Sequence, residues 1–192
     1  MKDLRCAWVG NDPLMVAYHD TEWGVPVHDD RRLFEFMVLD AMQAGLSWRI
    51  VLQKRENFER ALDGFDIAKI AKYGDKELER LVIDQGIIRN RQKLAATITN
   101  ARAAIAIQED FGSLDAYLWQ FVDGRPTMNA RTEGSQIPAK SPDAEVMSKD
   151  LKKRGFKFVG PTICYSFMQA AGLVNDHLSN CFRYEELANL SK

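Results

Sequence analysis

Towards its C-terminal end the chain reads Leu151-Lys-Lys-Arg-Gly155-Phe-Lys-Phe-Val-Gly160 and then an apolar run, Ile163 to Ala170, that stops at Gly172. Helical periodicity flanks a six-residue turn with a glycine at each end, so residues 143–172 are expected to form helix, sharp turn, helix. A helix that begins just after Gly160 points unpaired N–H groups outward, and such an end attracts phosphate. Lys152, Lys153, Arg154 and Lys157 crowd the same turn. On these residues alone the stretch is either a phosphate-gripping hairpin or an ordinary corner with a solvated charge run.

The rest of the chain carries helix signals and no β alternation of useful length, which makes an all-α fold the expectation. A helix over residues 31–42 is capped by Asp29 or Asp30, and LFEFMVLDAM within it is apolar on most sides. Gly45 breaks that helix and Ser47 starts the next, over 48–62. Further helices are expected over 66–71, 75–85, from Lys93 through Ile105, and over 113–122. Residues 123–142, with three prolines and two glycines, are a surface loop or a connection between lobes. The 192 residues, 46% hydrophobic, suffice for one core, so 1–192 is expected to be one domain or two tightly packed lobes. A net charge of −1 does not exclude nucleic acid, because basic residues cluster at 152–157 and in Arg89-Asn-Arg-Gln-Lys93. No run is apolar enough to span a bilayer and none resembles a signal peptide, so a cytoplasmic protein is expected.

Some polar residues stand out against this helical background. Cys6 and His19 lie near one end, and His177 and Cys181, spaced H-x3-C, near the other. Together they could form a closed Cys2His2 site for a tetrahedral Zn²⁺, or they could be a buried cysteine and core histidines of no further consequence. Cys164 and His28 are read as structural or solvated. Asp40 falls on the stripe of Leu33, Phe36 and Met37. An ionised acid there is costly without a partner, so it belongs either to hydrogen-bonded structure or to a polar site in a dry pocket.

LKKRGFKFVGPTICYSFMQAAGLVNDH resembles the helix-hairpin-helix element of DNA glycosylases, and more closely the corresponding segment of the constitutive, type I 3-methyladenine DNA glycosylases. Matching motifs run from Cys6 to Cys181. The resemblance implies a helix-hairpin-helix glycosylase fold whose N- and C-terminal segments are joined by one structural zinc on Cys6, His19, His177 and Cys181. It implies a base pocket with Trp48 stacking on the extruded base, Tyr18 beside it, and Asp40 in the place of a glutamate that hydrogen-bonds the base edge. Trp8 and Trp23 are further candidates for the pocket wall. Gly45 and Leu46 fall on the loop that enters the DNA, and Gly155, Lys157 and Gly160 lie nearest the strand. Met15 stands where relatives commonly have an aromatic.

The implied substrate is double-stranded DNA containing 3-methyladenine, and the implied reaction is hydrolysis of its N-glycosidic bond to leave an abasic site. A monomer is expected. Asn175 stands where many members of the wider superfamily carry a catalytic aspartate, and Pro161-Thr162 where bifunctional members carry a nucleophilic lysine. Both point away from a lyase step. The alternatives are a non-catalytic, zinc-containing lesion-binding protein and a zinc hydrolase, the latter requiring an open coordination position.

Overall fold

The computed structural model describes residues 4–190, which are mostly helical. After a short 3₁₀ turn, Ala7–Val9, come α1 (Pro13–Thr21), α2 (Asp30–Gln43), α3 (Trp48–Ala61), α4 (Ile67–Ile70), α5 (Asp75–Ile83) and the long α6 (Arg91–Phe111). Then follow α7 (Leu114–Trp119), a two-residue strand β1 (Thr127–Met128), α8 (Pro142–Lys153), α9 (Pro161–Ala170), strand β2 (Val174–Asn175) and α10 (Phe182–Leu190).

α2 is the most thoroughly buried helix, and four others pack against it. Asp29 caps it, its carboxylate accepting from Arg32 N at 2.9 Å, and every residue from Leu33 to Met42 is buried. Its neighbours are α3, α6, α7 and α9, which is why its sequence is apolar on most sides. At its far end Lys93 of α6 donates to Met42 O at 2.9 Å and Ala44 O at 2.7 Å, satisfying carbonyls that the helix itself leaves unpaired.

The corner between α8 and α9 has the expected helix, turn, helix form, and the two helices pack against each other. Gly155 takes φ +92°, a conformation that favours glycine. Gly172, which ends the second helix, is required for a different reason. It has φ +74°, and a Cβ there would lie 2.3 Å from the carbonyl carbon of Val25. The segment after α1 crosses α9 at this point, with Gly24 N donating to Gln169 O and Val27 N to Ala171 O, both at 3.0 Å.

Three features depart from the sequence-based expectation. α1 forms in a stretch with little helix propensity because the Asp12 side chain accepts from Leu14 N and Met15 N, and Pro13 occupies its first position. α10 adds a helix to a tail that carried no clear signal. The chain is also not purely helical: β1 pairs with β2 in parallel, Thr127 opposite Val174 and Met128 opposite Asn175. Two residues per strand are too few to produce an alternating pattern, yet the ladder ties the irregular 123–142 segment to the end of α9.

Candidate active site and metal centre

α1, α2, α3 and α9 enclose a cavity of about 240 Å³, lined by Trp8, Tyr18, Trp23, Asp40, Gln43, Trp48, Ile137, Ser166, Gln169 and Ala170. The five pocket residues expected from sequence, Asp40, Tyr18, Trp48, Trp8 and Trp23, all face this one space. Tyr18 and Trp48 stand with ring centroids 5.3 Å apart, tilted by 50°, and Trp8 meets Trp23 edge to face at 5.0 Å. Met15 is half-buried against the core and does not line the cavity.

Asp40 is 4% exposed. Among the described residues its Oδ2 has no hydrogen-bond partner, and neither has the buried Nε1 of Trp48. Burial holds the Asp40 carboxyl well above its ordinary range, and among the described residues no cation offsets it. An acceptor or acid and an N–H donor, both unsatisfied and both on the cavity wall, are costly in an apolar enclosure. A flat heteroaromatic with a polar edge relieves the cost at Asp40. Tyr18 is also raised well above its usual value, first by burial and then by the nearby Asp40 and Glu22, so it stays a neutral phenol.

Sequence reasoning missed Gln43, Ile137, Ser166, Gln169 and Ala170. The signal for two of them was present: Ser166 and Gln169 are polar, three apart, in the apolar run of α9, and so share a face. It also missed the supports. Glu22, Arg32, Glu35 and Arg55 close a ring of ion pairs at 2.6–2.9 Å that joins the end of α1 to α2 and α3. These elements carry Tyr18, Asp40 and Trp48. Behind Gln169, the fully buried Asp176 accepts from Asn129 (2.9 Å), Arg131 (3.2 Å), Gln169 (2.7 Å) and the Tyr165 hydroxyl.

On the next position of α1, about 100° around the helix from Tyr18, His19 turns to a second cluster. Cys6, His19, His177 and Cys181 are all buried, with one donor atom from each lying within 4.8 Å of all the others. Cys181 Sγ is 3.5 Å from His19 Nε2 and 3.5 Å from His177 Nδ1, and Cys6 Sγ is 3.8 Å from His177 Nδ1. Tetrahedral Zn²⁺ bond lengths give S···N edges of about 3.5–3.6 Å. The remaining ring nitrogens are committed elsewhere: His177 Nε2 to Trp23 O at 2.9 Å, and His19 Nδ1 to Asp20 at 2.7 Å. Arg5 holds Asp20 in turn. Those partners leave the lone pairs of His19 Nε2 and His177 Nδ1 facing the centre, as metal ligation demands. The two buried sulfurs act on each other, and His177 and His19 act on Cys181 in the same sense, so that the Cys181 thiol is lowered and Cys6 raised. The donor set fits a metal ion, and the H-x3-C pair reaches it from a loop rather than a helical turn.

The remaining candidates lie on the surface. Gly45, at φ +82°, and Leu46 are exposed between α2 and α3, and Leu46 is among the few large apolar residues so placed. Lys157 is exposed in the α8–α9 turn, with Gly155 and Gly160 half-exposed beside it. Ser47 precedes α3 but makes no side-chain cap bond. Arg154 is not available to a strand: it pairs with Asp150 and Asp110 and lies over the rings of Phe111 and Tyr117. His28 stacks on Trp119 and pairs with Asp115, and Cys164 bonds Val159 O, both in structural roles.

Known proteins are similar to this chain in sequence and in fold. DNA-3-methyladenine glycosylase 1 of Escherichia coli is 51% identical over 180 residues, 94% of this chain and 96% of its own length. A crystal structure of 3-methyladenine DNA glycosylase I superposes with a TM-score of 0.91 at 51% identity, covering 93% of this chain and 98% of the other. The Staphylococcus aureus 3-methyladenine DNA glycosylase I, solved for the structural basis of its 3-methyladenine recognition, gives 0.90 at 36% identity over 93% and 95%. Residues 8–184 match the methyladenine glycosylase family as a whole, and with that span covered the chain belongs to it.

Proposed function

We propose that this protein is a DNA-3-methyladenine glycosylase of base-excision repair, hydrolysing the N-glycosidic bond of 3-methyladenine in alkylated duplex DNA and leaving an abasic site. The observation that carries the assignment is Asp40: a buried carboxyl with an oxygen unpartnered among the described residues, in a cavity walled by aromatics that include Trp48. The names and close likeness of the relatives support it.

The chemistry follows from the cavity. The damaged nucleotide is flipped out of the stack, which costs least for a base that already pairs poorly. N3-methylation puts positive charge on the purine. That cation stacks on Trp48 beside Tyr18, and its charge favours ionisation of Asp40, which opposes it. When the C1′–N bond breaks, its electron pair returns to the ring, so the base leaves neutral and needs no general acid. Water then adds to an oxocarbenium-like sugar. Asp40 is the one carboxylate among the residues lining the cavity, which contain no lysine. Hydrolysis without a lyase step is therefore the assigned course, confined to weak glycosidic bonds.

Zn²⁺ on Cys6, His19, His177 and Cys181 would cross-link the two ends of the chain. Four protein donors complete a tetrahedral shell, which favours a structural ion over a zinc hydrolase. α8, its turn and α9 serve as the helix-hairpin-helix, with Gly155, Lys157 and Gly160 on the phosphates while Gly45 and Leu46 enter the duplex. The 192 residues act as one monomeric glycosylase domain in the cytoplasm, where chromosomal DNA is accessible. No helix among the described residues is long and apolar enough to cross a membrane.

Base release from methylated duplex DNA, resolved by chromatography, tests the assignment. Release of 3-methyladenine with 7-methylguanine retained is expected. No release from folded, metal-loaded protein would leave the non-catalytic lesion binder, the reading favoured by Met15 and by the shorter acid at Asp40.

A further inference from the structure

Two buried polar side chains of α6 are spent on the backbone of elements outside it. Lys93 grips the carbonyls of Met42 and Ala44, the last before Gly45. Asn100 brackets a single residue of the α8–α9 turn: its Oδ1 accepts from Lys157 N at 2.8 Å, and its Nδ2 donates to Lys157 O at 3.0 Å. Lys93, Thr97 and Asn100 are spaced i, i+4, i+7 along one stripe of the helix and are 6%, 3% and 4% exposed. Thr97 spends its hydroxyl on Lys93 O within the helix. Only the outer two reach across, from points roughly 10 Å apart along the axis.

We propose that Lys93 and Asn100 are positioning residues for DNA engagement: from one stripe of α6 they hold the Gly45–Leu46 loop and the Gly155–Gly160 turn at a fixed separation. This rests on the assignment of those two segments to the DNA face. Both are surface connections, the class of structure that is mobile by default. If each had to be ordered on contact, binding would bear that entropy twice, whereas two contacts pre-set on one rigid helix engage as a unit. The turn needs such a clamp. Phe158, the residue after Lys157, has φ +54°, a strained conformation for a non-glycine residue that persists only where its surroundings impose it. The Asn100 bracket supplies that constraint and leaves the Lys157 ammonium outside, on an exposed residue.

The test compares two affinities in folded variants: for a duplex bearing a tetrahydrofuran abasic-site analogue, and for free 3-methyladenine, followed by tryptophan fluorescence. Asn100→Leu keeps the branched shape and the number of heavy atoms and removes both bonds. It should weaken duplex binding roughly tenfold while leaving free-base binding within about twofold. Combined with Lys157→Ala, the loss should fall short of the product of the single losses, since both act through one turn. Lys93→Met, which keeps an unbranched apolar stem one atom shorter and removes the ammonium, should show the same split between duplex and base and guards against an Asn100 variant that does not fold. Duplex affinity unchanged in Asn100→Leu while Lys157→Ala weakens it would overturn the inference alone. Parallel loss of both affinities would reduce Asn100 to a structural role. Unchanged duplex binding in Lys157→Ala would remove the DNA face itself, and the inference with it.

Discussion

Asp40→Asn separates a carboxyl that waits for a cation from one that merely fills space. The wild-type group is buried, with Oδ2 unpartnered among the described residues, and burial raises its pKa well above 3.8. In the native state it therefore keeps its proton after the unfolded chain has released it. The native state then binds more protons than the unfolded one, so this group's contribution to stability falls as pH rises above about 4, and goes on falling until pH passes the folded pKa. One proton corresponds to a slope of about 1.4 kcal/mol per pH unit. Asparagine cannot titrate, so the difference between wild-type and variant stability should carry that slope, while every other titration, the metal ligands included, cancels. Urea unfolding of both proteins at a series of pH values from about 4 upward measures it. In the same variant the loss of a charged partner for the cationic base, about 1.5–3 kcal/mol, should lower excision about 10- to 150-fold. Binding of undamaged duplex should not change, because the carboxyl lies inside the cavity. Parallel stability curves would refute the reasoning, since they would mean that Asp40 is ionised and partnered in the folded state.

Trp48→Ala removes the stacking face. At about 1–3 kcal/mol per base it should weaken free 3-methyladenine binding about 5- to 150-fold, measured by calorimetry, again with undamaged duplex binding unaffected. Elemental analysis should find one zinc per chain, absent from Cys181→Ser. If the ion contributes even ~4 kcal/mol to stability, that variant or chelated wild type should lose roughly 8–16 °C in Tm, and an unchanged Tm would remove the case for a structural ion. Gly172→Ala must tolerate a left-handed backbone and a Cβ driven into Val25 and Pro26. A destabilisation of about 2–5 kcal/mol is expected from denaturant unfolding.

What the sequence revealed and what it concealed divide along physical lines. The Leu33–Met42 stripe announced a buried helix because burial on all sides leaves a local imprint, and the helices over 48–61, 75–83 and 91–111 followed their periodicity. α1 left a weaker trace, since its stability comes from a cap at Asp12 and a proline rather than from propensity. The pairing of Thr127–Met128 with Val174–Asn175 left none, because two-residue strands joined across the chain are a tertiary fact. The same holds for Cys6, His19, His177 and Cys181. Residue types and spacing alone allowed either a metal centre or scattered core residues, and only the fold brings both ends within 4.8 Å. The basic cluster misled in part. Lys152 and Lys153 are exposed, but Arg154 is consumed by two aspartates and two aromatic rings.

The two buried aspartates show how function separates from structure when residue type does not. Asp176 is 1% exposed and accepts from an asparagine, an arginine, a glutamine and a tyrosine. Every lone pair it could offer a substrate or a water is taken, so it cannot serve as a general base where it stands. What it does is hold Gln169, through that amide, against the cavity. Asp40 has the opposite surroundings: apolar neighbours on its stripe and, among the described residues, no cation to offset its burial and an oxygen left without a partner. A buried polar group left unsatisfied calls for an explanation, and at the wall of a cavity a ligand supplies one. On the proposed reading the well-bonded acid is scaffold, the unsatisfied one at the cavity wall opposes the charge of the base, and the residues lining the cavity hold no second carboxylate to activate water. That combination suits a base already cationic and already prone to leave, and leaves intact nucleosides, whose bonds need more help, untouched.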